Sequence, residues 1–117
     1  MKLMVLFALI ILQVQPIQDE TEIIGNWEMP EGNTVIEIQR DGDTFKGTVI
    51  KSDKEKAIGK EVLQDLRKEE NVWKGKFYVV RRDRLINATL KEIEDGILEM
   101  EVKAGRRTKT LNLTRTD

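Results

Sequence analysis

The chain has 117 residues, which is enough for one domain. Charged residues make up 35 % of it, but the two signs nearly cancel to a net charge of −1, whereas a general nucleic-acid binder is normally basic. The absence of Cys and His excludes disulfides, thiolate nucleophiles, Cys/His zinc sites and triads that use imidazole. We therefore expect a protein that is not an enzyme, that holds no metal or cofactor, and that does not bind nucleic acid.

Residues 1–18 predict a signal peptide. Lys2 gives the segment a positive start, and Leu3–Val14 is almost wholly apolar. About twelve apolar residues are too few to span a bilayer, which takes ~20, but they suit the apolar core of a signal peptide. A buried helix or an uncleaved anchor is the alternative. We expect cleavage before Asp19, which leaves residues 19–117 as the mature domain of an exported protein, periplasmic or secreted, without a transmembrane anchor.

Gly25–Ser52 predicts the first three strands of a meander. Apolar and polar residues alternate along it, which is typical of an antiparallel sheet with one buried face and one solvated face. Glu31-Gly32-Asn33 and Asp41-Gly42 supply the turns, because Gly and Asn tolerate the positive φ of tight hairpins. The inward residues are Trp27 on the first strand, Ile36 and Ile38 on the second, and Phe45, Gly47 and Val49 on the third.

The second half of the chain predicts five more strands. The charged connection Asp53–Lys60 leads to Glu61–Arg67, which is ambiguous because its apolar residues also fit one face of a helix. We interpret it as a strand, since Lys68–Asn71 after it is a plausible hairpin turn. The clearer strands are Val72–Val80, Leu85–Lys91, Ile97–Lys103 and Thr108–Arg115, separated by turns at Arg81–Arg84, Asp95-Gly96 and Ala104-Gly105.

About eight short strands, with turn signals roughly every ten residues, predict an all-β fold. An open sheet of this length exposes two edges, and closing it into an antiparallel up-and-down barrel removes them. A two-sheet sandwich is the alternative, but the simple meander order favours the barrel. We therefore expect residues 19–117 to form one small β-barrel.

The sequence of this predicted barrel contains two patterns that resemble known protein families. Gly25-Asn26-Trp27 and Arg115 resemble the signature of lipocalin-like (calycin-type) barrels, which implies structural roles for Gly25, Trp27 and Arg115: the tryptophan closes one end and the arginine packs over it. The pattern GNW…P.G…IEI…GD.F.G.VI, then W.GK.Y, NATL, L.MEV..G and a terminal T.R is similar to an exported bacterial family catalogued as domain of unknown function 2147.

The likeness to that family covers Ile24–Arg115 and has two departures. The family usually has a longer segment where this chain has Asp53–Lys60, and a tryptophan where it has Leu113. The family has no established activity, so the resemblance implies a fold and export but no mechanism.

Charge is distributed unequally between the two ends of the predicted barrel. Alternate turns of a meander lie at the same end, so residues 30–33, 51–61, 81–84 and 103–109 share one end, which we call the basic end. It carries eleven basic and five acidic side chains, a charge of about +6, while the turns at the other end carry four basic and seven acidic side chains, about −3. The cations of the basic end are Lys51, Lys54, Lys56, Lys60, Arg81, Arg82, Arg84, Lys103, Arg106, Arg107 and Lys109.

The basic end is the candidate binding region. It lies opposite Trp27, and in lipocalin-like barrels that end is the mouth; a field of one sign at a cleft attracts ions of the other. The alternative is that these charges only keep the loops soluble. We expect a non-enzymatic exported barrel that binds an anionic amphiphile, such as a fatty acid or anionic lipid, or an anionic component of the cell envelope. The candidate residues are Arg81, Arg82, Arg84, Arg106 and Arg107 for the head group, and inward residues including Phe77 and Met100 for an apolar tail.

A module with a solid core remains the alternative function. An eight-stranded barrel is just wide enough either to fill itself with side chains or to hold one small ligand. Trp73 and Phe77 fit a core as well as a cavity wall. The alternative is therefore a protein-interaction or structural module of the cell envelope with no small-molecule ligand, and the sequence determines neither its protein partner nor its oligomeric state.

Overall fold

Eight antiparallel strands form a closed barrel in the computed structural model, which describes residues 23–116. Each strand pairs with its neighbours in the chain, and β1 pairs with β8 to close the barrel. The predicted all-β meander is confirmed, while the predicted signal peptide lies outside the described residues. The strands are β1 (Gly25–Glu28), β2 (Val35–Asp41), β3 (Thr44–Lys51), β4 (Glu61–Glu69), β5 (Val72–Val79), β6 (Arg84–Glu94), β7 (Ile97–Ala104) and β8 (Arg107–Thr116).

β4 is an irregular strand rather than a helix. Its pairing with β3 shifts register on both sides of Gly47, and its pairing with β5 shifts between Gln64 and Arg67. The irregularity near β3 allows two consecutive residues, Val62 and Leu63, to be buried. This break in the alternation explains why the sequence of β4 also fits a helix.

Two glycines lie in mid-strand, where the barrel wall has no room for a side chain. A Cβ on Gly47 would lie 2.7 Å from Cγ2 of Ile36 and 3.0 Å from Cβ of Leu63. A Cβ on Gly75 would lie 2.6 Å from the backbone oxygen of Gln64, in the β4 bulge. Close packing of the wall therefore accounts for both glycines.

The β1–β2 and β3–β4 connections are bonded to each other at the basic end. The Asp53 N–H donates to the Gly32 carbonyl at 2.9 Å, and Nδ2 of Asn33 donates to the Asp53 carboxylate at 3.2 Å. The 3-10 turn Glu55–Ala57 follows and buries Ala57 against the core. The long β3–β4 connection is therefore packed against the barrel rather than extended into solvent.

Apolar side chains from all eight strands fill the body of the barrel. Within residues 23–116 no polar or charged residue is buried, and no helix is long and apolar enough to cross a membrane. The largest fully buried side chains are Trp27, Phe45, Ile23, Ile36, Ile38, Leu63, Leu66, Leu90, Met100 and Leu113.

Candidate functional site

The end opposite the basic end is closed by three aromatic rings, each with a cation above it. Both kinds of contact are favourable, since the ring face attracts cations and the ring edge packs well against another ring face. The rings of Phe45 and Trp73 meet edge to face with their centroids 5.1 Å apart. We call this the closed end. The cation-to-centroid distances are 4.4 Å for Arg115 over Trp27, 4.7 Å for Arg40 over Phe45 and 5.7 Å for Lys68 over Trp73.

Backbone geometry positions Arg115 over Trp27. Gly25 has a φ of +139°, and a Cβ there would lie 2.6 Å from Nη1 of Arg115. That same Nη1 donates to the Ile24 carbonyl at 3.0 Å, while Nε1 of Trp27 donates to the Ile23 carbonyl at 2.9 Å. The missing side chain at Gly25 therefore gives the guanidinium its place beside the indole.

The apolar interior is less well covered toward the basic end. Five apolar side chains pack against the core yet keep partial exposure. Four of them lie in or beside the segments that lead to the turns of the basic end, and the fifth lies in the middle of β8. The aromatic rings at the closed end are therefore almost fully buried, while apolar side chains toward the basic end stay partly accessible. The five are Met29, Phe77, Val80, Ile86 and Leu111.

The five candidate arginines are all exposed at the basic end. Arg81 and Arg82 lie in the 3-10 turn between β5 and β6, and Arg106 lies in the β7–β8 turn. Arg84 begins β6 opposite Val79, and Arg107 begins β8 opposite Ala104. Because side chains alternate along a strand, Arg84 shares the inner face of β6 with Ile86, and Arg107 shares the inner face of β8 with Leu111.

Four of the five acids of the basic end have side-chain partners inside the protein, while most of its cations do not. Glu31 lies 3.9 Å from Lys109, and Glu61 lies 3.9 Å from Lys46 in the barrel wall. Asp53 accepts its hydrogen bond from Asn33. Among the described residues, Lys109 is the one cation of the basic end with a carboxylate oxygen within 4.0 Å. The other ten cations therefore face solvent without an ion-pair partner in this part of the chain.

A hydrogen bond fixes the shape of the arginine-bearing β5–β6 turn. Asp83 has a left-handed φ of 50°, and its N–H donates to the Val80 carbonyl at 3.3 Å. Its carboxylate accepts a hydrogen bond from the Tyr78 hydroxyl. That bond raises the pKa of Tyr78 above its usual value of 10.0, because it favours the neutral phenol; desolvation and the charge of Asp83 act in the same direction.

Comparison with known proteins identifies the fold. No family model matches the sequence, and no curated protein matches it, so the resemblance to domain of unknown function 2147 gains no support. Among solved structures, protein HP1028 from Helicobacter pylori, a protein of the lipocalin family, matches with a TM-score of 0.65 and 18 % identity over 81 % of this chain and 83 % of that chain. The chain is a lipocalin-like barrel. At this identity the likeness establishes the fold alone.

Phe77 and Met100, the two residues predicted to contact an apolar tail, differ in burial within the lipocalin-like barrel. Met100 is fully buried in the centre of the core, whereas Phe77 is half-buried near the basic end. Trp73 packs on Phe45 at the closed end, far along the strand from the arginine turns. The alternation of residues along β6 and β8 predicts that Arg84 and Arg107 lie on the inner faces of these strands. Sequence reasoning assigned the two arginines to turns and did not use this alternation.

The outer wall of the lipocalin-like barrel has a polar groove. It measures about 470 Å³ and lies between the β1–β2 connection and the outer face of β8. Within residues 23–116, no cluster of three or more His, Cys, Asp or Glu side chains could hold a metal ion. The groove is lined by Glu28, Met29, Pro30, Gly32, Asn33, Asp53, Asn112 and Thr114.

Proposed function

We propose that this protein binds a single anionic amphiphile, a fatty acid or an anionic lipid, at its basic end, without catalysis. The carrying observation is that partly exposed apolar side chains and unpaired arginines occur at the same end of the barrel, while the aromatic rings at the other end are buried under cations. An amphiphile has the complementary structure, with an apolar chain and a charged head.

The proposed ligand enters only the upper part of the barrel. Half-buried Phe77 and Ile86 contact the carbons next to the head group, and Arg84 and Arg107 on the inner faces bind the head group itself. The fully buried core around Met100 limits how far the ligand enters, because side chains already occupy that part of the barrel. Charge-assisted hydrogen bonds from guanidinium groups to a carboxylate or phosphate supply the specificity.

The test is the binding of a fluorescent fatty acid, below the concentration at which it forms micelles, to the wild type and to two charge-reversed variants. Arg84→Glu/Arg107→Glu removes two cations of the basic end and is expected to weaken binding about tenfold or more, because hydrogen bonds between charged groups contribute about 1.5–3 kcal/mol each. Arg67→Glu/Lys91→Glu makes the same change in net charge near the closed end and should leave affinity nearly unchanged.

Salt gives the second arm of the test. Wild-type affinity is expected to fall as ionic strength rises, since the screening length shortens to about 8 Å at physiological salt. Both variants should keep the fold, because exposed charges usually change stability by about 0.5 kcal/mol or less. Equal losses in the two variants, or equal affinity for an uncharged alcohol of the same chain length, would show that the basic end is no specific site.

A solid-core interaction or structural module of the cell envelope is the second candidate. Complete burial of Ile36, Leu63, Leu90, Met100 and Leu113 favours it, since none of these side chains has surface that a ligand could reach. Under this proposal no fatty acid binds at any salt concentration, and the basic end contacts a protein instead.

We also propose that the chain is exported and acts in the periplasm or outside the cell. The support is the positive start at Lys2 and the apolar run Leu3–Val14. N-terminal sequencing of the exported protein is expected to place its first residue after Val14 and before Glu22. An intact Met1 on the exported form would contradict this.

A further inference from the structure

We infer that the basic end docks on an anionic lipid bilayer and inserts exposed apolar side chains of its outer surface into the lipid interface. The inference rests on the proposed function and extends it, because it names the surface at which the amphiphile is taken up or released. The side chains concerned differ from those that line the opening.

The three most exposed large apolar side chains among the described residues all lie at the basic end. Leu85 is 51 % exposed, Ile58 47 % and Ile50 44 %. Ile50 is on the outer face of β3, Ile58 is in the β3–β4 connection, and Leu85 is on the outer face of β6. Apolar groups that protrude from a charged rim enter the boundary between lipid head groups and acyl chains.

These side chains share one side of the barrel. β3, β4, β5 and β6 are consecutive in the sheet, so Ile50, Ile58 and Leu85 belong to one arc of the basic end. Leu85 pairs across strands with Tyr78, whose ring and hydroxyl suit the same interface. The apolar groups of this arc therefore lie along the same half of the rim at the basic end.

The cations at the basic end favour an anionic bilayer as the partner. The cations interleaved with Ile58 and Leu85 belong to the β3–β4 connection and the β5–β6 turn, and they form no ion pair within the described chain. Each Lys or Arg near an anionic membrane surface adds to its attraction, whereas the acidic closed end is repelled. The protein therefore approaches the bilayer with its opening toward the lipid.

The experiment measures sedimentation with vesicles of phosphatidylcholine containing phosphatidylglycerol, and with vesicles of phosphatidylcholine alone. Ile58→Ser/Leu85→Ser is expected to weaken binding to the anionic vesicles about tenfold or more, because two apolar side chains are no longer buried in lipid. The matched control is Ile93→Ser, which changes an apolar side chain of similar exposure, 43 %, at the closed end. Wild-type binding to pure phosphatidylcholine should be weak.

Free fatty-acid binding separates this inference from the proposed function. The Ile58→Ser/Leu85→Ser variant should bind a monomeric fluorescent fatty acid like the wild type, because the substituted residues lie outside the opening. Vesicle binding without fatty-acid binding would leave docking intact and overturn the proposed function.

Docking itself is overturned if Ile58→Ser/Leu85→Ser binds anionic vesicles like the wild type, if Ile93→Ser loses as much, or if lipid charge has no effect. Ile58→Ser alone, in a connection rather than a strand, repeats the test if the double variant is poorly folded.

Discussion

Arg115 makes two contacts at the closed end that depend on the shape of its guanidinium. Its Cζ lies over the Trp27 ring, 4.4 Å from the ring centroid, and Nη1 of the same group donates to the Ile24 carbonyl at 3.0 Å. A lysine presents one ammonium point and cannot stack and bond sideways in this way. The G-x-W pattern and the late arginine are therefore parts of one local structure, in which Gly25 leaves space and Trp27 supplies the face.

The first prediction concerns this structure. Trp27→Ala should lower the free energy of unfolding by about 3–5 kcal/mol, the usual result of emptying a large aromatic site. Arg115→Ala should have a smaller effect, and the effects should not add, because each substitution removes the same contact. Urea unfolding of the two single variants and the double variant measures this. Strictly additive losses would contradict an energetic coupling between the two side chains.

The second prediction uses the fact that Tyr78 is the only tyrosine in the chain. Ultraviolet titration of the phenol therefore reports one residue, and its midpoint should lie above 10.0 because the hydrogen bond to Asp83 raises the pKa of Tyr78. Since the folded pKa is the higher one, the stability that this bond contributes is present below pH 10 and is lost as pH rises through the folded pKa. Asp83→Asn should move the midpoint back toward 10.0, and an unchanged midpoint would argue against the bond.

β4 departs from regular pairing with both of its neighbours. Its bulge brings the Gln64 carbonyl close to Gly75 on β5, so the two strands fit only because one of them lacks a side chain at this position. Asp65 takes a positive φ of 55° in the same bulge. The irregularity is thus built from backbone geometry on β4 and from a residue choice on β5.

The third prediction follows from that fit. Gly75→Ala should destabilise the barrel by about 1–3 kcal/mol, since overpacking forces neighbouring atoms to move and the atom nearest the new Cβ is a backbone oxygen. Thermal unfolding against Thr110→Ala, a change at an exposed site on β8, measures the difference. A stability equal to that of the control would mean that β4 adjusts at no cost.

Alternation and turn chemistry predict most of this barrel. Ile36, Ile38, Phe45 and Val49 follow the period of two, and they are buried in the structure as expected. The burial of both Val62 and Leu63, which are consecutive in the sequence, could not be predicted. It depends on a bulge, and a bulge depends on how the neighbouring strand packs rather than on local sequence.

The candidate site was less accessible to sequence reasoning. The rule that alternate turns of a meander lie at the same end correctly predicts that Arg84 and Arg107 share one end, because this follows from topology alone. The burial of Ala57 and the bond between Asn33 and Asp53 depend on two connections meeting in space. The cations over Phe45 and Trp73 were missed for the same reason, although Arg40 continues the inward alternation of β2 and Lys68 that of β4.

The two ends of the barrel differ in both coverage and charge. Three cations at the closed end lie over aromatic rings, whereas all but one of those at the basic end have no ion-pair partner among the described residues. A net charge of −1 conceals this difference, because opposite signs cancel across the length of the barrel. The separation of charge between the two ends, rather than the net charge, is therefore the property through which this protein can orient toward a charged partner and select it.

The seam between β1 and β8 has a consequence for how the chain folds. It consists of three residue pairs, while every other pairing joins strands that are adjacent in the sequence. Hairpins from β2 to β8 can form through local contacts, but the seam must bring together residues as far apart as Ile24 and Arg115, 91 positions along the chain. Closing so long a loop is costly in entropy, so we expect barrel closure to be a slow, late event of folding. Trp27 lies at this seam and Trp73 in the local β5–β6 hairpin, so we expect the two indoles to become buried at different stages.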